Sequence, residues 1–232
     1  MSIRFFVNRI LSRVKNGFYK TVIAIPLLLL PLGGCAKSTD YTPYVSELRS
    51  NIFLASTEEL SLRIYAVNKE SPYRPDGIPH ECTPRVEARL TAPSGTDTYR
   101  FFFTYDGQEF GGEMSYDNVK SEYYLSYPLD ISDATTLPCR IEWGESSLSL
   151  NAPTVKQKDT LSAGEILKKL QTEEGELFTS LTDKYGFAGE IYVRLIHEEA
   201  PYYYVGIIDR NGVVHAYLLN AQSGKILAKR TT

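Results

Sequence analysis

"YYYVGIIDRNGVVHAYLLN" occupies Tyr202 to Asn220, and its reading decides the fold of the last third of the chain. Two segments rich in Val, Ile and Tyr flank Asp209-Arg210-Asn211-Gly212. Such residues suit a pleated, half-buried strand. An Asn-Gly pair between two such segments signals a hairpin, because both residues tolerate positive φ. The stretch therefore predicts two antiparallel strands and a tight turn. Working outward, "EIYVRLI" (190–196) alternates apolar and polar residues, as a strand covered on one face does. Downstream, "NAQSG" (220–224) reads as a second turn before a short last strand, "KILAKR" (225–230).

Upstream the period changes. Ser162-Ala163-Gly164-Glu165 has the form of a capping box, in which Ser and Glu satisfy the free amides of a helix start. Ile166, Leu167, Leu170, Leu177, Phe178 and Leu181 then recur at helical spacing. Gly175 interrupts this pattern, which predicts two short helices or one bent one, and Gly186 ends it. Residues 156–232 thus read as a small α+β domain. "NAPTVKQKDT", Asn151 to Thr160, reads as the linker before it.

Residues 45–155 read as β throughout. "RVEARLTA" places Val86, Ala88 and Leu90 on one face and Glu87, Arg89 and Thr91 on the other. "LSLRIYAV" does the same with Leu60, Leu62, Ile64 and Ala66. "TYRFFFTY" ends at Asp106-Gly107, another hairpin signal. "SEYYLSY", "CRIEW" and "SLSLNA" supply further short strands. Six or seven strands at this spacing predict an antiparallel β-sandwich, immunoglobulin-like in general architecture.

The N-terminus has a different character. Arg4, Arg9, Arg13, Lys15 and Lys20 precede "VIAIPLLLLPL" (22–32), and no acidic residue occurs before Asp40. The apolar run is too short for a bilayer-spanning helix, which needs about 20 residues. A basic segment, a short apolar segment and small residues at its end form a secretory signal. Leu32-Gly33-Gly34-Cys35 resembles the lipobox of bacterial lipoprotein precursors. The resemblance implies cleavage between Gly34 and Cys35, a diacylglyceryl thioether on Cys35, and acylation of the new amino terminus, palmitate being a typical chain. Two or more acyl chains give stable anchoring where one is marginal. The implied location is the extracytoplasmic side of a bacterial cell membrane, in the cell envelope. Residues 1–34 would be removed, and 35–44 would act as a polar tether.

That cleavage changes the charge. The whole chain has 25 basic and 28 acidic residues, net −3. The leader holds five basic and no acidic residues, so the remainder carries 20 against 28, net −8. Such an acidic protein is not expected to bind nucleic acid. With Cys35 lipidated, Cys82 and Cys139 remain, an even number in an oxidising compartment. Both fall in phase with apolar neighbours, Cys139 with Ile141 and Trp143, Cys82 with Val86, Ala88 and Leu90. A Cys82–Cys139 disulfide is therefore expected, worth about 4 kcal/mol in the loop-entropy treatment.

The C-terminal stretch carries a second resemblance. Its Val205–Ile208 strand, the Asn211-Gly212 turn, the Tyr217–Asn220 strand and "NAQSGKIL" are similar to the PepSY domain of secreted metallopeptidase propeptides and bacterial envelope proteins. That family often ends D-A-x-T-G-x-I/V; here Asn220 stands for the Asp and Ser223 for the Thr. The resemblance implies a binding or peptidase-inhibiting role rather than catalysis.

No motif names a reaction. His197 opens "HEEAP" without the second histidine of H-E-x-x-H, Pro201 standing in its place. No nucleophile elbow, P-loop or dinucleotide fingerprint occurs. His80, His215, the Asp209 turn and "TEEGE" (172–176) read as loop, strand, turn and helix-junction residues. No catalytic residue, metal or cofactor is assigned. The 17 tyrosines include two clusters, Tyr123, Tyr124 and Tyr127, and Tyr202, Tyr203 and Tyr204. Tyrosine offers contact area with a polar tip, which suits peptide or glycan surfaces. The expectation is a non-catalytic binder of a peptide or protein partner, with sheet-edge pairing by the C-terminal strands as its mode. A solute- or glycan-binding lipoprotein with a tyrosine-rich groove is the alternative.

Overall fold

Alternating residues in most segments after Tyr44 let one strand face be buried while the other stays polar. The computed structural model accordingly shows a mostly β chain with open sheets. It describes residues 39–72, 80–93 and 98–232. The expected leader, the Gly34–Cys35 cleavage and lipidation site, and the start of the tether lie outside these residues; the end of the expected tether is part of the fold, with Tyr41 buried in an apolar core and Tyr44 packed against it.

The strands are β1 (Val45–Ser56), β2 (Ser61–Glu70), β3 (Cys82–Thr91), β4 (Tyr99–Tyr105), β5 (Gln108–Glu113), β6 (Ser115–Asp117), β7 (Glu122–Tyr127), β8 (Thr136–Trp143) and β9 (Ser146–Pro153). Helices α1 (Ala163–Glu173) and α2 (Gly175–Ser180) follow. Then come β10 (Thr182–Asp183), β11 (Gly186–Phe187), β12 (Gly189–His197), β13 (Pro201–Asp209), β14 (Val214–Asn220) and β15 (Ile226–Thr231).

The local signals act as their chemistry requires. Ser162 Oγ accepts from the Glu165 amide while Glu165 returns a carboxylate to the Ser162 amide, starting α1. The helix breaks at Gly175, giving two helices rather than one bent one. Asp106 and Gly107 both adopt positive φ, 48° and 74°, closing the β4–β5 hairpin. At the β13–β14 turn only Gly212 does so, at 79°. There the Asp209 carboxylate accepts from the amides of Asn211 and Val213 and holds the turn itself. Asn220, standing where the PepSY-type ending often has Asp, accepts through Oδ1 from the amides of Gln222 and Ser223.

Nine strands form one sheet in the order β15-β14-β13-β12-β1-β2-β3-β7-β6, and four form another in the order β5-β4-β8-β9. The large sheet crosses the expected boundary between residues 155 and 156. Its joint is β1, which pairs antiparallel with β2 and parallel with β12, Leu48 opposite Val193 and Arg49 opposite Arg194. Asp40–Thr232 is one compact unit.

Two apolar cores flank the joint. In the first, Ile166, Leu167, Leu170 and Phe178 of the helices meet Ile191, Val193, Leu195, Val205 and Ile207. In the second, Leu62, Ile64, Ala66, Val86, Ala88 and Leu90 meet Phe101, Phe103, Leu137 and Ile141 of the smaller sheet. Cross-strand partners share a face. Val193 pairs with Leu48, Leu48 with Asn68, and Ala66 and Ile64 follow Asn68 by alternation. The helices and the smaller sheet therefore both lie on this side of the large one, while Ile52, Tyr65 and Val67 of the first core lie on the other. The first core also takes in Ile52, Tyr65 and Val67, whose neighbours Phe53, Ile64 and Ala66 serve the second. Thus β1 and β2 feed both cores with alternate residues.

The expected Cys82–Cys139 bridge is not formed; both thiols are free. Cys82 opens β3, its Sγ 3.6 Å from the carbonyls of Val45 and Ser46. Cys139 lies on β8 in the smaller sheet, buried in the second core, with its Sγ on the Leu137 carbonyl at 3.2 Å. Being in phase with apolar neighbours brings Cys139 to a core, but leaves Cys82 half-buried at the start of β3 and away from it.

Candidate functional site

The other side of the large sheet carries most of its polar residues, around a buried centre of Ile52, Tyr65 and Val67 that belongs to the first core. Alternation puts Arg63, Tyr65, Val67 and Lys69 of β2 there, with Arg85, Glu87 and Arg89 of β3 and Tyr124 of β7. Glu47 and Arg49 of β1, Tyr192 and Arg194 of β12, and Tyr202 and Tyr204 of β13 share this face.

These side chains are ordered by charge and ring. Arg194 grips Glu47 with two bonds, Nε to Oε1 at 2.7 Å and Nη2 to Oε2 at 2.6 Å. Its guanidinium carbon also stands 5.2 Å from the Tyr192 ring centre. Arg49 lies 4.3 Å over the Tyr65 ring. Lys69 donates to Glu87 at 2.5 Å. Arg89 and Arg63 both bind the buried Glu122, and Arg89 lies 5.2 Å over Tyr124. The Tyr204 ring folds along its strand over Gly206, where an added Cβ would meet its hydroxyl at 3.2 Å. Cation, ring and carboxylate alternate across β13, β12, β1, β2, β3 and β7.

Electrostatics differ along the face. Burial pushes the Glu87 carboxyl up, but the Lys69 hydrogen bond and charge, with Arg89 and Arg49, outweigh it and hold it below its ordinary value. Burial pushes the Arg49 guanidinium down; Arg194 adds to this, and Tyr65, Glu47 and Glu87 offset it only in part.

The two expected tyrosine clusters do not form one surface. Tyr203 is 1% exposed, donating to the Leu161 carbonyl at 2.9 Å, and burial with the nearby Glu165 pushes its hydroxyl up to about 12. Tyr123 is also buried, packed 4.5 Å from Tyr99, and Tyr127 packs against the second core. Only Tyr124, Tyr202 and Tyr204 reach the polar face, half-buried. Sequence reasoning missed their companions Tyr192, Arg49, Arg85 and Arg194. Register alone brings these together, and no local pattern announces it.

The remaining residues keep to structural positions. The His80 amide donates to Glu70 Oε1 at 2.9 Å. His215 Nδ1 lies 3.5 Å from Thr231 Oγ1 on β15, and His197 ends β12. Among the described residues no three His, Cys, Asp or Glu side chains gather to hold a metal ion. No helix among them is long and apolar enough to cross a membrane. Glu174, between the helices, accepts from the Tyr217 hydroxyl at 3.3 Å and the Lys229 ammonium at 3.1 Å. A shallow depression of about 210 Å³ lies there, lined by Glu174, Leu177, His215, Tyr217, Lys229 and Arg230. Comparison with known protein families, with curated proteins and with solved structures finds no match to this chain.

Proposed function

We propose that this protein is a lipid-anchored bacterial envelope protein that binds a peptide segment of an extracytoplasmic partner without catalysis. The observation that carries this reading is the polar face of the large sheet. It spans six strands and presents Arg194, Arg89, Tyr124, Tyr192, Tyr202 and Tyr204, types suited to interfaces because they combine contact area with directed hydrogen bonds. Ile52, Tyr65 and Val67 fill the buried centre of this side, and the half-buried Arg194, Arg89, Tyr124, Tyr202 and Tyr204 stand around it.

The finer fold assignments belong to the same reading. The core shared by two sheets supports an immunoglobulin-like sandwich. Two helices followed by β12 to β15, with the Asn211-Gly212 turn and the Asn220 turn, support a PepSY-like unit and a role in modulating a peptidase. The Leu32–Cys35 lipobox supports the anchor, and the short polar segment after it would hold the folded unit off the bilayer. The tyrosine-rich groove of the alternative reading is not favoured, because Tyr123 and Tyr203 are spent in cores.

The test is the size of the native assembly. The full chain, extracted from its membrane in mild detergent, should migrate as a complex larger than the monomer. Tyr192→Ser with Tyr204→Ser should release the monomer, while Lys168→Ser with Lys169→Ser on exposed α1 should not. A monomer at all concentrations, or a complex indifferent to the tyrosine pair, would refute the reading.

A further inference from the structure

One row of the polar face is unlike the rest. Arg194, Arg49, Val67 and Arg85 are consecutive cross-strand partners on β12, β1, β2 and β3. Strands lie about 4.8 Å apart, so Arg49 and Arg85 flank Val67 with their Cα atoms about 10 Å apart. Arg194 has Glu47. Lys69, on the next row, has Glu87. Neither Arg49 nor Arg85 has a carboxylate partner among the described residues, and each keeps a buried Nε with no hydrogen-bond partner. Among the described residues of these two rows, four cations thus face two carboxylates, and both carboxylates are engaged.

A guanidinium away from water is costly unless it is paired and hydrogen-bonded. Arg49 is largely buried and Arg85 half-buried, each with its Nε out of water beside the buried Val67, and in an acidic protein this is an unfilled requirement. Glu70 also has a buried unpartnered oxygen, Oε2. It cannot supply the missing charge, because it follows Lys69 and lies on the opposite face. Tyr65 holds the Arg49 plane by stacking at 4.3 Å, which orients its N–H edges without neutralising them. The lowering of the Arg49 pKa by burial and by Arg194 agrees with a cation that lacks its counter-charge.

We propose that Arg49 and Arg85 form a binding site for an oxyanion, a carboxylate or phosphate group, carried by the ligand of this face. Guanidinium forks match both groups geometrically, with two parallel N–H···O bonds each. The inference rests on the binding role of the polar face and names the chemistry recognised there.

The experiment titrates the full chain in detergent with inorganic phosphate and, separately, with citrate, against sodium chloride at matched ionic strength. Thermal unfolding and calorimetry are the readouts. Saturable stabilisation is expected in at least one arm. A phosphate-only response assigns a phosphorylated ligand, and a citrate-only response a carboxylate. Arg49→Gln and Arg85→Gln should each weaken the apparent affinity at least tenfold, and Arg100→Gln on the smaller sheet should not. Without anion, the two glutamine variants should melt no lower than the parent, because they remove an uncompensated charge. A loss of stability without anion would mark the arginines as structural supports and overturn the proposal. So would stabilisation that never saturates or that persists in both variants. A native complex that survives Arg49→Gln with Arg85→Gln but is lost with the tyrosine pair would sink the oxyanion site and leave the binding face standing.

Discussion

Val193→Ala tests whether the two cores share one fate. Val193 is fully buried in the first core, on the strand that pairs in parallel with β1. Removing its two methyl-sized groups forfeits about 1.6 kcal/mol of transfer free energy, at about 0.8 kcal/mol each. The residual cavity raises this to about 2.5 kcal/mol. For a unit of this size each kcal/mol lowers the midpoint by about 2–4 °C, so a fall of about 5–10 °C is expected. The informative readout is Trp143, the single tryptophan. It packs against the second core, stacked on Tyr99 at 5.9 Å, and has no part in the first. Because β1 and β2 serve both cores with alternate residues, Trp143 fluorescence and far-UV circular dichroism should shift together. An unmoved Trp143 transition beside a lowered dichroism midpoint would show two independent domains, and would refute the reasoning from the shared sheet.

Three further outcomes follow from the same geometry. Burial pushes the Cys139 thiol up to about 12 and raises that of Cys82, with Glu70 contributing; in the folded, unreduced protein maleimide at pH 8 should leave Cys139 untouched and label Cys82 slowly, and denaturation without reductant should expose both, whereas a mass two hydrogens short would restore the bridge. Glu87 has a folded pKa held below its unfolded value, so its contribution is present above the ordinary carboxylate value of about 4.3 and fades as pH falls through the folded value; the stability gap between parent and Glu87→Gln should be widest near neutral pH and close in acid, and a gap constant with pH would exclude Lys69 pairing as its source. Mass analysis of the native amino terminus should show Cys35 as first residue with diacylglyceryl and acyl additions; an unmodified Met1 terminus would remove the anchor.

What could be read beforehand follows from the range of each signal. The α1 capping box, the break at Gly175 and the three turns at Asp106, Asn211 and Gly224 depend on neighbours within a few residues, so their chemistry is local. The alternation in β2, β3 and β12 likewise shows which residues enter a core. It does not show which strand lies alongside. The β1–β12 pairing joins residues about 145 positions apart, and β1 carries irregularities between Val45 and Glu47 and between Arg49 and Asn51. Each resets the period-two pattern, so β1 looks less like a central strand than it is. The arginine row is invisible in the sequence for the same reason: Arg49, Arg85 and Arg194 lie on three different strands, and no pattern within one strand announces the others. The tyrosine clusters misled because neighbours along a strand point to opposite faces, and clustering in sequence cannot become clustering in space.

The most direct measurement of the binding role places a photo-crosslinking amino acid at Tyr204 on the polar face, and in a parallel strain at Lys168 on exposed α1, in the full chain at its native level. Illumination of intact cells should yield a discrete adduct from position 204 and none from 168. Adducts from 168 alone, or equal smears from both, would contradict the assignment of the polar sheet face as the recognition surface.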